Sequence, residues 1–133
     1  MNTDPASKPG SHWVAVYIDS NKRGEYFDSY GRRPGIPALV QLLNKNCRSW
    51  EYNQQPVQGL FSSVCGHYCV YFLLQRVLTD IPMSEILQIF DSECLEENDQ
   101  LITDWLNENF DLDTETYNIE FLLNQVCHAL LEQ

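Results

Sequence analysis

One cysteine in this chain has the surroundings of a nucleophile. Cys65 follows the polar lead-in "QGLFSSV" and opens the apolar run "CGHYCVYFLL". A cysteine reacts as the thiolate, and the backbone N–H groups at a helix N-terminus lower a thiol pKa. Free cysteines are often simply buried, and we prefer that interpretation for Cys69, Cys94 and Cys127. For Cys65 the two serines and Gly66 favour chemistry, because small residues let a substrate backbone approach the sulfur.

A thiolate mechanism also needs a general base, and the chain has three histidines. His128 falls in a C-terminal amphipathic pattern, where a surface or core-edge position is expected. His67 is two residues from Cys65, and side chains at that spacing do not face each other on a helix. His12 remains, directly before the segment "WVAVYI", where a histidine held by a strand can point into a cleft.

An acid that orients the histidine is found on the next extended segment. The segments "WVAVYI" and "EYFDSY" are β-branched and aromatic, and they predict an antiparallel hairpin that turns near residues 21–24. Such a hairpin brings Asp28 next to His12, where a carboxylate can fix the imidazole tautomer. Asp28 has a second interpretation as the cap of the turn "DSYG". The spacing alone leaves both open.

Gln58 supplies the fourth part of this arrangement, a side-chain amide for an oxyanion hole. It lies seven residues before Cys65 on a loop that contains Gly59. Loss of one oxyanion donor typically costs about 3–4 kcal/mol of barrier. The alternative is a solvent-exposed loop glutamine. We do not expect a zinc site on "CGHYC", because alternate helical positions point in different directions and no second ligand pair has suitable spacing.

The elements that position these residues indicate an α+β domain. We expect a small, mostly antiparallel sheet, made of the hairpin 13–28 and a strand near 49–53, packed against a buried helix that starts near Cys65. A short amphipathic helix is expected over 38–43. Pro82 suits the start of a further helix, and apolar spacing predicts two more, around 101–106 and 121–130.

Length and charge limit the classes of function. The 133 residues are 44% hydrophobic, which is enough for one compact domain, and we expect a single domain over 1–133. The net charge is −11, and residues 91–133 contain no lysine or arginine. Such a surface repels phosphate backbones, so no nucleic-acid partner is expected.

The absence of a membrane-length apolar run and of a signal-peptide pattern leads us to expect a soluble protein with no membrane partner. The five cysteines form an odd set without tight spacing, which favours reduced thiols. We expect an intracellular location, either cytoplasmic or nuclear and with virions as one option, and no secretion.

Three quoted stretches together resemble a family. "SHWVAVYID", "EYFDSYG" and "PVQGLFSSVCGHYCVYF" are similar in order, chemistry and spacing to the adenoviral-type cysteine endopeptidases, including the proteases of virus-like DNA transposons. The broader group also holds the ubiquitin-like-protein proteases. The likeness covers residues 2 to about 79.

The resemblance implies that His12 is the general base, Asp28 its orienter, Gln58 the oxyanion side chain and Cys65 the nucleophile. It further implies that Trp13 walls the histidine site, beside a substrate cleft that includes Gly59 and Gly66. No metal and no organic cofactor is implied. The expected reaction is peptide-bond hydrolysis through a thioester.

The chain departs from the family pattern in two ways. Family members carry a helical segment before the catalytic histidine, whereas "NTDPASKPGS" follows Met1 directly here, so we expect that segment to be lacking. The adenoviral enzymes are basic and use DNA, a property not carried over to this acidic chain. Cys47 lies where adenoviral relatives bind an activating peptide by a disulfide, and it predicts a thiol-bearing activator.

Three hypotheses of function follow. The first is a cysteine endopeptidase that processes a viral or transposon polyprotein or capsid precursor. The second is a protease or isopeptidase for a ubiquitin-like modifier, because the same triad serves both. The third is a catalytically inactive, protease-like binding domain.

Overall fold

The computed structural model describes Thr3 and residues 12–110. Within this part of the chain the elements are β1 (Ala15–Ile18), β2 (Arg23–Phe27), α1 (Pro37–Asn46), β3 (Ser49–Tyr52), α2 (Cys65–Thr79), α3 (Met83–Ile86), a 3-10 turn (Leu87–Ile89) and α4 (Leu95–Asn109). The helix predicted around 121–130, with Cys127 and His128, lies outside the described residues.

The α+β class is confirmed, and the sheet has three strands in the order β1-β2-β3. β1 and β2 form the predicted antiparallel hairpin, with Ala15 opposite Phe27 and Ile18 opposite Gly24. β3 pairs with β2 in parallel rather than antiparallel, so the sheet is mixed. The reason is α1, which carries the chain back so that β3 starts at the same end of the sheet as β2.

The two faces of the sheet are covered by different helices. Alternate strand residues point to opposite faces, so Tyr26 and Phe27 enter different cores. The smaller core lies under α1 and includes Val14, Tyr26, Leu39 and Leu43. The larger core lies on the other face and joins Ala15 and Phe27 to residues of α2, α3 and α4, among them Phe72, Ile86 and Ile102.

The helices follow their sequence signals closely. α2 starts at Cys65, as predicted, and its apolar residues are buried on most sides. Pro82 is the residue before α3, where its fixed φ and missing N–H do no harm, although α3 itself is only one turn long. α4 buries Ile102 and Leu106, as an amphipathic pattern requires. None of the helices within residues 12–110 has the length and apolar composition of a membrane span.

Candidate active site

The thiol of Cys65 lies at the first position of α2 and is 7% exposed. Burial raises the thiol pKa, but the His12 imidazole and the backbone N–H groups of Trp13 and Gly66 outweigh that effect, and the pKa of Cys65 falls below its usual 9.0. No side-chain cap bonds the start of α2 among the described residues, and the Gly66 N–H of its first turn acts on the thiol. The sulfur therefore lies where a thiolate is stabilised.

The imidazole of His12 lies between this thiol and a carboxylate. Its Nε2 is 2.8 Å from Oδ1 of Asp28, and the side chain is 14% exposed. Burial lowers the imidazole pKa, but hydrogen bonding and charge from Asp28 and Cys65 raise it from 6.5 to about 9. The carbonyl of His12 accepts two bonds from Thr3, from its backbone N–H at 2.8 Å and from its hydroxyl at 3.2 Å, and these fix the backbone before β1.

Nε2 of His12 is taken by Asp28, which leaves Nδ1 as the second ring nitrogen. Nδ1 is buried, and no well-aligned hydrogen bond reaches it from the described residues. Hydrogen bonding with the Cys65 thiol nevertheless contributes to the raised imidazole pKa, so the thiol lies near the ring. Because the imidazole pKa is raised to about 9 and the thiol pKa is lowered from 9.0, a single proton shared by the pair favours the imidazole. The directions of the two pKa shifts thus favour an imidazolium beside a thiolate.

Asp28 makes the contacts of both interpretations, because its side chain bonds the imidazole and also caps the turn. Its Oδ1 accepts a hydrogen bond from His12 and a second one, at 2.8 Å, from the backbone N–H of Tyr30. The turn is closed by the Gly31 N–H, which donates to the Asp28 carbonyl at 2.7 Å. Gly31 has a φ of 68°, a value that favours glycine. The turn thus aims the carboxylate at the imidazole.

Gln58 is fully buried, in contrast to an ordinary loop glutamine. Its Oε1 accepts a hydrogen bond from the Ser29 hydroxyl at 2.5 Å. Its Nε2 lies 3.0 Å from both the carbonyl and the hydroxyl oxygen of Ser62, three residues before Cys65. With the carbonyl end of the amide fixed by Ser29, the donor end is directed at the loop that leads into Cys65.

The three residues expected in the cleft have different surroundings. The ring of Trp13 packs against the larger core, and its backbone N–H acts on the Cys65 thiol. Gly66 is buried and contributes its N–H in the same way. Gly59 is buried beside Gln58, and its N–H donates to the carboxylate of Asp99. A role of these residues in contacting substrate stays a prediction.

His67 and Cys47 were considered for other roles, in a metal site and in binding an activating peptide. Burial lowers the pKa of His67, which is half-buried in α2. Residues 12–110 contain no group of three His, Cys, Asp or Glu side chains arranged to hold a metal ion. Cys47 is half-buried at the end of α1, next to Gly24 and thus at the end of β2 away from Asp28. Burial raises the pKa of the Cys47 thiol, so its surroundings do not activate it.

Comparison with known proteins gives two relatives. The chain is 31% identical over 97 residues to a protein of Acanthamoeba polyphaga mimivirus named as a thiol protease, an alignment that covers 65% of this chain and 32% of that protein. It is 34% identical over 89 residues to the protease of Bovine adenovirus 4, covering 55% of this chain and 43% of the adenoviral one. The resemblance to adenoviral-type cysteine proteases is confirmed.

This resemblance is partial in extent. The matched part of the chain spans 32% and 43% of the lengths of these two viral proteases. No family model matches it. The activity and substrates of the full-length relatives are therefore only proposed for this chain.

Three residues around the site were missed by sequence reasoning. The Tyr30 ring lies 4.9 Å from the imidazole of His12. Asn53 is buried and brackets the backbone of Asp28, accepting from its N–H at 2.9 Å and donating to its carbonyl at 2.6 Å. Ser29 holds Gln58. Tyr30 and Ser29 belong to the motif "FDSYG", but nothing local to Asn53 indicates its partner.

Proposed function

We propose that this protein is a cysteine endopeptidase in which Cys65 is the nucleophile, His12 the acid and base, and Asp28 the residue that orients the imidazole. The observation that carries the proposal is the meeting of three side chains at one end of the hairpin. A lowered thiol pKa, a raised imidazole pKa and a 2.8 Å bond from the imidazole to a buried carboxylate occur together.

The geometry supports acyl transfer in two stages. The Cys65 thiolate forms a bond to the scissile carbonyl carbon, and the carbonyl π electrons move onto its oxygen. His12 then gives its proton to the leaving amine as the C–N bond breaks, which leaves a thioester. In the second stage His12 takes a proton from water, the water oxygen attacks the thioester carbon, and the C–S bond breaks. Asp28 faces the imidazolium in both stages and carries no proton between them.

The oxyanion of each tetrahedral intermediate needs donors. We assign the amide of Gln58 and the backbone N–H of Cys65 to this role. The buried position of Gln58 and the fixing of its Oε1 by Ser29 support the assignment, because a preorganised donor costs no reorganisation during the reaction. Nε2 has two hydrogens and both nearby acceptors belong to Ser62, so binding of the oxyanion replaces one of these bonds.

The substrate class is proposed from the relatives. Both are named as viral proteases, and a polyprotein or capsid precursor of a virus or a virus-like transposon is therefore the proposed substrate. An activating peptide bound through Cys47 stays a prediction without support from the thiol's surroundings.

The test is to identify the reactive cysteine and the bond that is cut. The full chain is treated with a peptide electrophile, and the labelled cysteine is located by mass spectrometry, with Cys65→Ala and Cys94→Ala as paired variants. Preferential labelling of Cys65, lost only in Cys65→Ala, is expected. Labelling spread evenly over the cysteines would contradict the proposal.

Substrate choice is tested in parallel. A capsid-derived peptide is compared with a modifier fusion that ends in Gly-Gly, and cleavage of the capsid peptide is expected. Cleavage of the modifier fusion alone would reassign the protein to the modifier proteases. Rapid labelling without cleavage of either would favour an inactive binding domain.

A further inference from the structure

Asp99 on α4 contacts two parts of the proposed site whose relative position matters for catalysis. One part is the loop with Gln58, and the other is the start of α2 with Cys65. The carboxylate of Asp99 accepts the N–H of Gly59, the residue after Gln58, with oxygen distances of 3.1 and 3.3 Å. The same carboxylate lies 2.7 Å from the hydroxyl of Tyr68, one helical turn after Cys65. One side chain thus contacts both parts.

The Tyr68 hydroxyl has two acceptors within reach and one proton. Oδ1 of Asp99 is at 2.7 Å and the Val57 carbonyl is at 2.9 Å. An ionised carboxylate is the stronger acceptor, so the proton goes to Asp99. The Val57 carbonyl keeps a partner in the side-chain amide of Asn98, at 3.1 Å. Tyr68 itself is fully buried, which makes these bonds strong and difficult to replace by water.

The lack of a side chain at Gly59 leaves room for the carboxylate of Asp99. A Cβ added there would lie 2.7 Å from Oδ2 of Asp99, closer than real side chains come. The small residue after Gln58 is therefore required by the approach of the carboxylate. This requirement is independent of any contact that Gly59 makes with substrate.

Neighbouring residues of α4 strengthen the connection. Asn98 is buried, and besides the Val57 carbonyl it bonds both backbone groups of Asp91, accepting from the N–H at 2.9 Å. The loop from Val57 to Gly59 is thus held from α4 by two consecutive side chains. Most acidic residues of α4 face solvent, whereas Asp99 is half-buried against the loop.

We propose that Asp99 is a positioning residue, which fixes the amide of Gln58 at its working distance from Cys65 by bonding Gly59 and Tyr68 at once. The inference rests on the proposed peptidase function. It assigns to α4 a part in catalysis that neither the triad nor the quoted motifs contain.

Asp99→Asn tests the proposal, because it keeps the shape of the side chain and removes the charge that two donors share. A misplaced oxyanion donor slows acylation, so kcat should fall by roughly 10- to 100-fold with little change in KM. Alkylation of Cys65 by iodoacetamide forms no oxyanion, and its rate should stay within a factor of two. Asp104→Asn is the matched control, since Asp104 is an exposed residue of the same helix whose carboxylate accepts a bond only from Gln100 at 2.8 Å among the bonds described.

Gly59→Ala approaches the same contact from the loop, by displacing the carboxylate, and should reproduce the kcat loss if Asp99→Asn fails to fold. Unchanged kcat in folded Asp99→Asn would overturn the inference, and so would a parallel loss of alkylation, which would indicate general damage.

A second measurement separates this inference from the proposed function. Hydrogen exchange of the Gly59 amide, followed by NMR in the wild type, should be slow and should accelerate at least about 10-fold in Asp99→Asn. Unchanged exchange overturns the role of Asp99 whether or not the protein cleaves peptides. A wild type that alkylates at Cys65 but cleaves nothing overturns the peptidase proposal and leaves the exchange result to decide on Asp99.

Discussion

Replacing Asp28 by asparagine removes one negative charge from the centre of the site and little else. Oδ1 of Asp28 accepts the bonds of both His12 and Tyr30, and an amide oxygen can accept the same two. The turn that ends β2 should therefore persist. What is lost is the attraction between a carboxylate and the imidazolium of His12, so the variant measures that attraction directly.

The size of the effect follows from the burial of the pair. The side chains of Asp28 and His12 are 5% and 14% exposed, so solvent screens the charges poorly. A hydrogen bond to a charged group contributes about 1.5–3 kcal/mol, and 1.36 kcal/mol corresponds to one pH unit, so the imidazole pKa should fall by about one to two pH units from about 9. Above about pH 7 to 8 the variant then keeps less imidazolium, and less of the thiolate that the imidazolium stabilises. If about 1.5–3 kcal/mol is also lost from the transition state, where the imidazolium gives up its proton, turnover should fall roughly 10- to 100-fold.

The assay is the pH dependence of Cys65 alkylation by iodoacetamide, quantified by peptide mass spectrometry. The acidic limb of the profile should move to higher pH in Asp28→Asn. Asp19→Asn is the matched control, because Asp19 also accepts the N–H of the residue two positions on, at 2.9 Å, but in the β1–β2 turn away from the imidazole. Superimposable profiles for the wild type and Asp28→Asn would refute the reasoning.

Stability gives a second check on the same pair, with a defined sign. The imidazole pKa of His12 is about 9 in the folded protein and ordinarily 6.5, so the folded state binds the proton more tightly. The resulting stabilisation is complete below pH 6.5 and is lost as the pH rises through about 9. The urea midpoint of the wild type should exceed that of Asp28→Asn most clearly at pH 6, and the gap should narrow by pH 9.

Three further predictions concern residues around this pair. Cys65→Ala should abolish turnover, keep the fold and lower the imidazole pKa of His12, which the thiol helps to raise; an NMR titration with the pKa still about 9 would contradict this. Gln58→Ala leaves a buried hydroxyl without its acceptor and should cost about 1–3 kcal/mol in urea unfolding, besides lowering kcat. Gly31 has a φ of 68°, and a Cβ added there would lie 2.6 Å from backbone atoms, so Gly31→Ala should lower the free energy of unfolding in urea by about 2 kcal/mol or more. A Cβ added at Gly35 meets open space, so the unfolding free energy of Gly35→Ala should not change.

The parts of the fold that local sequence determines were predictable. The hairpin follows from β-branched and aromatic segments around a polar turn, and α2 follows from an apolar run too long for a strand. The pairing direction of β3 was not predictable in the same way. It depends on where α1 delivers the chain, and α1 is ten residues long rather than the six that apolar spacing indicated.

The same division applies to the candidate site. The positions of Cys65 and Asp28 follow from a helix start and a turn, both of which are local, and hairpin pairing adds His12. The supports come from distant segments: Asn53 reaches Asp28 across 25 residues, and Asp99 reaches Gly59 across 40. When a polar side chain bonds the backbone of a distant segment, the sequence around it does not show that partner. The roles of Asn53 and Asp99 could therefore be seen only in the structure.

The acidic residues of the chain do not all have the same surroundings. An acidic helix is usually interpreted as a solvated face, and most of α4 fits that description. Asp99 does not, because its carboxylate accepts the N–H of Gly59 and lies 2.7 Å from the hydroxyl of Tyr68. Asp28 is a second acid turned inward, against an imidazole. The proposed mechanism uses these two carboxylates because of the particular donors that face them, an imidazole for Asp28 and a loop N–H with a tyrosine hydroxyl for Asp99, and a charge count alone could not have selected either.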